Sequence, residues 1–197
     1  MAAAPLILPS RVFGADGKVA PSNRIAIGCI GVGRMGVGDL KELIKYPQVQ
    51  LVAVCDVDAH RAEAARKAIE KHYAKNRGSG KFKGCGIHHE FEELLARPDI
   101  DAVSIVTPDH WHTIPAIAAA KAGKDIFLQK PLTLTIAEGR ALSDAVRKHG
   151  RVFQTGSQQR SESNFRLACE LVRNGRIGKL QTIKVGFGTD PTCGLEP

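Results

Sequence analysis

The sequence predicts an α/β fold: a doubly wound parallel sheet covered by helices on both faces, followed by the start of a second, α+β domain. Three observations carry this. From Arg24 onward, short apolar runs alternate with segments of helical period. Each run is apolar along its whole length, as strands buried on both faces are. Beyond residue 158 the alternation gives out, and one helix and one strand remain, too little to enclose a core.

Element by element, Ile25–Ile30 reads as a buried strand ending in a glycine cluster. Leu40, Leu43 and Ile44 then recur at helical spacing until Pro47 stops the run. Residues 51–55 form a second strand, and Ala62, Ala65, Ile69 and Tyr73 mark a second helix. Residues 76–86 are a Gly/Lys-rich loop, and Phe91–Leu95 a short helical turn. Residues 102–106 are the next strand, ending at Thr107-Pro108. The helix after it carries Ile114, Ile117 and Ala118, tolerates Pro115 in its first turn, and closes at Gly123. Asp125–Leu128 is another strand. Thr135 and Glu138 stand at capping-box spacing before a helix with Leu142, Ala145 and Val146, which ends at Gly150. Residues 151–155 complete the sheet, with right-handed crossovers expected throughout. A helix over 164–173 and an alternating strand over 180–187 follow. The domains expected are therefore a leader or linker over 1–23, the sheet domain over 24–158, and the incomplete start of a second domain over 159–197.

Composition excludes several classes. At 197 residues the chain is one domain, or one and part of another. With 43% hydrophobic and 24% charged residues it is a folded globular chain, and no apolar run approaches the ~18–20 residues of a membrane span. Its five cysteines are odd in number, widely spaced and without a Cys-x-x-Cys pair, which argues against a disulfide framework or a cysteine–zinc site. The net charge of +8 suits phosphate ligands. Its bases alternate with acids, however, and the 5% of aromatics are not interleaved with basic runs, so no nucleic-acid partner and no membrane partner are expected.

Gly31-Val-Gly33-Arg-Met-Gly36 follows a strand and opens a helix, the context in which a Gly-x-Gly-x-x-Gly run binds a dinucleotide. Gly31 permits the tight turn, Gly33 the approach of a pyrophosphate and Gly36 the packing of helix on strand. The helix N-terminus, with Arg34 and Met35 in its first turn, faces the phosphates. Asp56 ends the second strand twenty residues after Gly36, where a carboxylate binds the adenosine ribose. A carboxylate repels a 2′-phosphate and no Arg stands at 57 or 58, so NAD is favoured over NADP, although Arg61 is near in sequence.

Thr107-Pro-Asp-His-Trp-His112 lies at the carboxyl end of a strand, where ligands bind in open sheets. His112 reads either as lining the nicotinamide end of the cleft or as a plain helix-entry residue. No third ligand accompanies the paired histidines, so no metal is expected. Gln129-Lys130-Pro131 follows another strand end. Lys130 reads either as a solvated loop residue or as one that hydrogen-bonds the reacting oxygen during hydride transfer.

In this order, GVGRMG, CDVD, TPDHWH, QKP, TGSQQR and GRIGKL, the motifs resemble the Gfo/Idh/MocA oxidoreductases, the family of glucose–fructose oxidoreductase and inositol dehydrogenase. The resemblance covers residues 24–187. It implies a Rossmann domain joined to a C-terminal domain on an open sheet, and NAD(P)-dependent hydride transfer on a sugar or polyol. By position it implies cofactor contacts from Gly31, Gly33, Arg34, Met35, Gly36, Asp56, Thr107, Pro108, Gln129 and Lys130. Catalytic roles fall to Lys130 and His112, and substrate contacts to Lys130, Gln158 and Gln159. Gln129 departs from the family's usual Glu. The family's acid/base region lies beyond the last residue here, so the chain is expected to bind cofactor without a complete substrate site and to expose apolar faces over 164–173 and 180–187. A homo-oligomer is expected at full length. The alternative is a non-catalytic dinucleotide-binding or sensing module. Localisation is cytoplasmic as the sequence stands, or periplasmic if residues 1–15 are the remnant of a twin-arginine export signal.

Overall fold

The computed structural model describes Gly14 and residues 19–77 and 84–186. These divide into two units, Met1–Gly156 and Ser157–Pro197.

The first unit is built on six parallel strands in the order β3-β2-β1-β4-β5-β6: β1 (Ile25–Ile30), β2 (Val49–Cys55), β3 (Gly86–His88), β4 (Ala102–Ile105), β5 (Asp125–Leu128) and β6 (Phe153–Thr155). This is the order of a Rossmann sheet. Between the strands run α1 (Arg34–Leu43), α2 (Ala59–Arg77), α3 (Phe91–Leu95), α4 (Thr113–Lys121) and α5 (Ile136–Lys148).

Two hydrophobic layers sandwich the sheet. Ile27, Cys29, Leu51 and Val54 pack with Leu40 of α1 and with Ala62, Ala65 and Ile69 of α2. Ile30, Val52, Val103, Ile105 and Leu128 pack with Leu94 of α3, Ala116 and Ala119 of α4 and Leu142 of α5. Leu51 and Val54 are three apart yet share a face, which strict alternation forbids. A bulge explains it: Ile27 pairs with Leu51 and Gly28 with Ala53, leaving Val52 over. The bulged Val52 carbonyl accepts from Arg97 Nη1 at 3.3 Å.

The capping box opening α5 is formed on both sides. Thr135 Oγ1 accepts from Glu138 N at 3.2 Å, and the Glu138 carboxylate accepts from Thr135 N at 2.8 Å, an arrangement contributing about 1 kcal/mol.

Two readings need correction. Residues 76–86 are not a loop throughout: Asn76 and Arg77 complete α2, and Gly86 begins β3, which pairs with β2. Residues 78–83 lie outside the described residues. The strand expected over 180–187 is not formed over 180–186, and Phe187 lies outside the described residues. A strand exists only where a neighbour accepts and donates its main-chain hydrogen bonds, and no strand among the described residues pairs with this segment.

The second unit contains a 3₁₀ turn (Gln158–Ser161) and α6 (Ser163–Arg173), whose Phe165, Leu167, Leu171 and Val172 are exposed. The leader lies outside the described residues apart from Gly14, Val19 and the 3₁₀ turn Pro21–Asn23 with the Ala20 before it. No helix among the described residues is long and apolar enough to cross a membrane.

Candidate functional site

The strand order reverses at β1, whose neighbours β2 and β4 lead to helices on opposite faces. In open parallel sheets the crevice at the carboxyl ends of such strands is where ligands bind. Here it is a cleft of about 480 Å³, floored by Ile30 and Val106 and walled by the loops after β1, β2, β3 and β4.

The first wall is the β1–α1 turn. Gly31 has φ +80°, and a Cβ there would lie 2.5 Å from Val106 O; a Cβ at Gly36 would lie 2.1 Å from Gly31 O. Both glycines are therefore required by the fold itself. Gly33 is different. Its φ is −71°, and a Cβ would meet only Arg61 Nη1 at 3.5 Å. Nothing in the protein requires glycine there, and the space that a side chain would fill opens into the cleft.

Gly33 is also the N-cap of α1 and offers no capping side chain. The first-turn N–H groups have no carbonyl one turn back within the helix to bond. This end of the helix carries its positive dipole and suits an anion. Arg34 and Met35 line the same wall.

The second wall is the end of β2. Asp56 is buried, and its Oδ2 accepts from Val32 N at 2.8 Å while Oδ1 accepts from Asp58 N at 2.9 Å. The carboxylate thus ties the glycine turn to β2. Each oxygen keeps a further lone pair for a hydroxyl donor from the cleft. Asp58 caps the start of α2, accepting from His60 N and Arg61 N, and pairs with the Arg61 guanidinium at 3.4 Å. Cys55 borders the cleft, but burial first and the Asp56 charge second push its thiol up to about 12. It stays protonated and inert.

The third and fourth walls come from the loops after β3 and β4. His89, whose Nδ1 lies 3.1 Å from Asp56 O, and Phe91 stand on one side. Thr107, Pro108, His110 and Trp111 stand on the other. The Thr107 hydroxyl is buried and has no hydrogen-bond partner within the protein. An orphaned hydroxyl and a helix N-terminus beside an open glycine make a polar cradle of the kind a dinucleotide fits.

Of the residues singled out in the sequence, Gly31, Gly33, Arg34, Met35, Asp56, Thr107 and Pro108 line this one cleft. Gly36 packs beneath it against Gly31. Gln129 and Lys130 belong to the neighbouring β5 end, and His112, the N-cap of α4, reaches that end through the Pro131 carbonyl. Gln129 is buried, with its N–H donated to Ile105 O at 3.0 Å, and Lys130 is exposed. Gln158 and Gln159 belong to the second unit.

His112 does not have the surroundings of a catalytic group. It is 1% exposed; its Nδ1 lies 2.5 Å from Pro131 O and its Nε2 2.9 Å from Thr107 O. Buried, with both ring nitrogens against main-chain carbonyls, the ring is out of reach of a substrate atom. The ring instead clamps the loop after β5 to the loop after β4. Among the described residues no group of three His, Cys, Asp or Glu side chains could hold a metal ion.

Sequence reading missed several lining residues, among them His89, Phe91, His110 and Trp111. His110 and Trp111 sit inside a motif already singled out, and their nearness to Pro108 was the available signal. His89 and Phe91 follow β3, a three-residue strand with no periodicity to detect.

Residues 25–157 match the family described as "Oxidoreductase family, NAD-binding Rossmann fold" (GFO_IDH_MocA). The scyllo-inositol 2-dehydrogenase (NAD(+)) of Bacillus subtilis is 34% identical over 158 residues, 80% of this chain and 42% of that protein. The alpha-N-acetylgalactosaminidase of Shewanella oneidensis is 32% identical over 176 residues, 87% of this chain and 37% of that protein. The crystal structure of scyllo-inositol dehydrogenase from Lactobacillus casei, with bound NAD(H) and scyllo-inositol, superposes with a TM-score of 0.66 at 28% identity, covering 79% of this chain and 42% of that one. The chain thus spans less than half the length of these relatives.

Proposed function

The chain belongs to the Gfo/Idh/MocA oxidoreductase family with its NAD-binding Rossmann fold, and from that premise we propose that it is the cofactor-holding part of an NAD-dependent dehydrogenase acting on a polyol or sugar. The observation that carries the reading is the open face of Gly33 at the α1 N-terminus, in a cleft at the switch point of the sheet. NAD, when bound, supplies hydride exchange at its nicotinamide ring.

The chain's own residues bind and orient. Arg34, Met35 and Gly36 present first-turn N–H groups and a helix dipole to the pyrophosphate, Gly33 leaves room for its approach, and Gly31 holds the turn. Asp56 accepts a hydrogen bond from an adenosine ribose hydroxyl while holding the turn in place. Thr107 and Pro108 line the path toward the nicotinamide. Gln129 fixes the main chain at Lys130, and the Lys130 ammonium donates to the reacting oxygen of the substrate. His112 holds two of these loops together and moves no proton.

NAD is preferred over NADP because the Asp56 carboxylate would face a 2′-phosphate. Arg61, which also lines the cleft, is paired with Asp58. The dehydrogenase and inositol names among the relatives support the polyol class.

A second reading, carbohydrate hydrolysis, is favoured by the Shewanella relative. Titrations with NADH and NADPH, on the native chain and on Asp56→Asn, test the cofactor assignment. NADH should bind at least tenfold more tightly, with the preference reduced in the variant; equal or reversed preference overturns it. Oxidation of scyllo-inositol followed at 340 nm, set against release of p-nitrophenol from p-nitrophenyl N-acetyl-α-galactosaminide, separates dehydrogenase from hydrolase.

A further inference from the structure

The β5 end is held by a relay that runs back to helix α1. Gln129 is 3% exposed, and each end of its side-chain amide is committed. Its Nε2 donates to Asp39 Oδ2 at 2.8 Å, and its Oε1 accepts from the main-chain N–H of Lys130 at 2.9 Å. The fit is close: a Cβ at Gly156 would lie 2.8 Å from Gln129 Oε1, so the bare glycine makes room for the amide.

An amide satisfies both partners without any change of protonation. A carboxylate at 129 would still accept from Lys130 but could meet the Asp39 carboxylate only by taking up a proton. An apolar residue would leave a buried main-chain N–H and a half-buried carboxylate unpaired. Asp39 sits far from Gln129 in sequence, on the second turn of α1, the helix whose N-terminus faces the cleft.

We propose that Asp39 is a positioning residue of the cofactor and substrate site, acting through Gln129 to fix the main chain at Lys130 and so the direction in which the Lys130 ammonium leaves the sheet. The inference rests on the reading of Lys130 given above. It links the two halves of the site: the helix that receives the pyrophosphate also holds the loop that carries the lysine. Burial raises the Asp39 carboxyl above the ordinary carboxylate range, while the hydrogen bond from Gln129 opposes that rise, so the bond favours the charged acceptor.

The test compares native protein, Asp39→Ala, Gln129→Glu and the double variant Gln129→Glu/Asp39→Asn. The readouts are hydrogen exchange at the Lys130 amide by NMR and NADH affinity by calorimetry. Both single variants should speed Lys130 exchange at least tenfold and weaken NADH binding at least fivefold. The double variant swaps the two groups, so that an amide on α1 donates to a carboxylate at the β5 end, and should return both readouts to within threefold of native. Should Gln129→Glu not fold, its recovery in the double variant supports the pairing and Asp39→Ala carries the exchange measurement. Native-like Lys130 exchange in Asp39→Ala, or no recovery in the double variant, overturns the relay. If native protein binds no NADH, the functional reading fails, and the exchange measurement still judges the relay.

Discussion

Replacing Gly33 by alanine separates folding from cofactor binding. The backbone there has φ −71°, which alanine adopts freely, and the new Cβ would meet nothing nearer than Arg61 Nη1 at 3.5 Å. The cost to the fold is the preference for glycine over alanine at an N-cap, about 0.5–1 kcal/mol. In a protein of this size that lowers the melting temperature by about 1–4 °C. The same methyl occupies the face that the pyrophosphate must approach. Hydrogen bonds to a charged acceptor are worth about 1.5–3 kcal/mol each. Displacing one of them costs about 1.5–3 kcal/mol, or roughly 10- to 140-fold in affinity. Gly36→Ala is the contrasting variant: its Cβ would lie 2.1 Å from the Gly31 carbonyl, and main chain cannot yield as a side chain does. It should lose far more in melting temperature than Gly33→Ala. Calorimetric titration with NADH, paired with thermal unfolding without ligand, reads both effects. A folded Gly33→Ala that binds NADH within threefold of native would refute the reasoning, as would a melting temperature as low as that of Gly36→Ala.

Three further outcomes follow from particular residues. His112→Leu removes the ring between the Thr107 and Pro131 carbonyls and strands two acceptors. It should destabilise by about 2–4 kcal/mol in denaturant titrations, whereas a surface histidine would change nothing. Asp39 has a folded pKa raised above its ordinary 3.8 by burial, so its protonated form is favoured in the folded state. Its contribution to stability is therefore present at low pH and lost as pH rises through the folded value. Asp39→Asn should melt higher than native at pH 7, and the difference should vanish below about pH 3.8; a constant difference across pH would contradict this. The exposed Phe165, Leu167, Leu171 and Val172 of α6 predict concentration-dependent self-association in sedimentation velocity, and a monomer at all concentrations would contradict it.

The sheet was legible in the sequence because its strands are apolar on both faces and its helices carry their own stop signals. Asp125–Leu128 and the Thr135–Glu138 box stand where they were read. β3 was not legible: three residues carry no period, and the pairing that makes Gly86–His88 a strand comes from β2. The segment over 180–187 shows the converse, an alternating pattern that makes no strand over 180–186 because a pattern supplies a face and not a partner. In the site, the glycine turn and Asp56 were legible from spacing. The second duty of Asp56, accepting from Val32 N, was not, because it depends on how the turn folds back. Nor was the role of His112. A histidine beside a strand end looks catalytic in sequence, and only burial and two carbonyl partners reveal a clamp. Asp39 carried no signal at all, since it meets Gln129 only through the fold.

The central claim is that the cleft at the β1–β4 switch point holds NAD(H) against the α1 N-terminus. The most direct measurement is a two-dimensional ¹⁵N–¹H NMR titration of the chain with NADH. The amides of Gly31, Gly33, Arg34, Gly36, Asp56 and Thr107 should shift together along one saturable curve. A folded spectrum that NADH leaves unchanged, or shifts confined to residues outside these loops, would contradict the account.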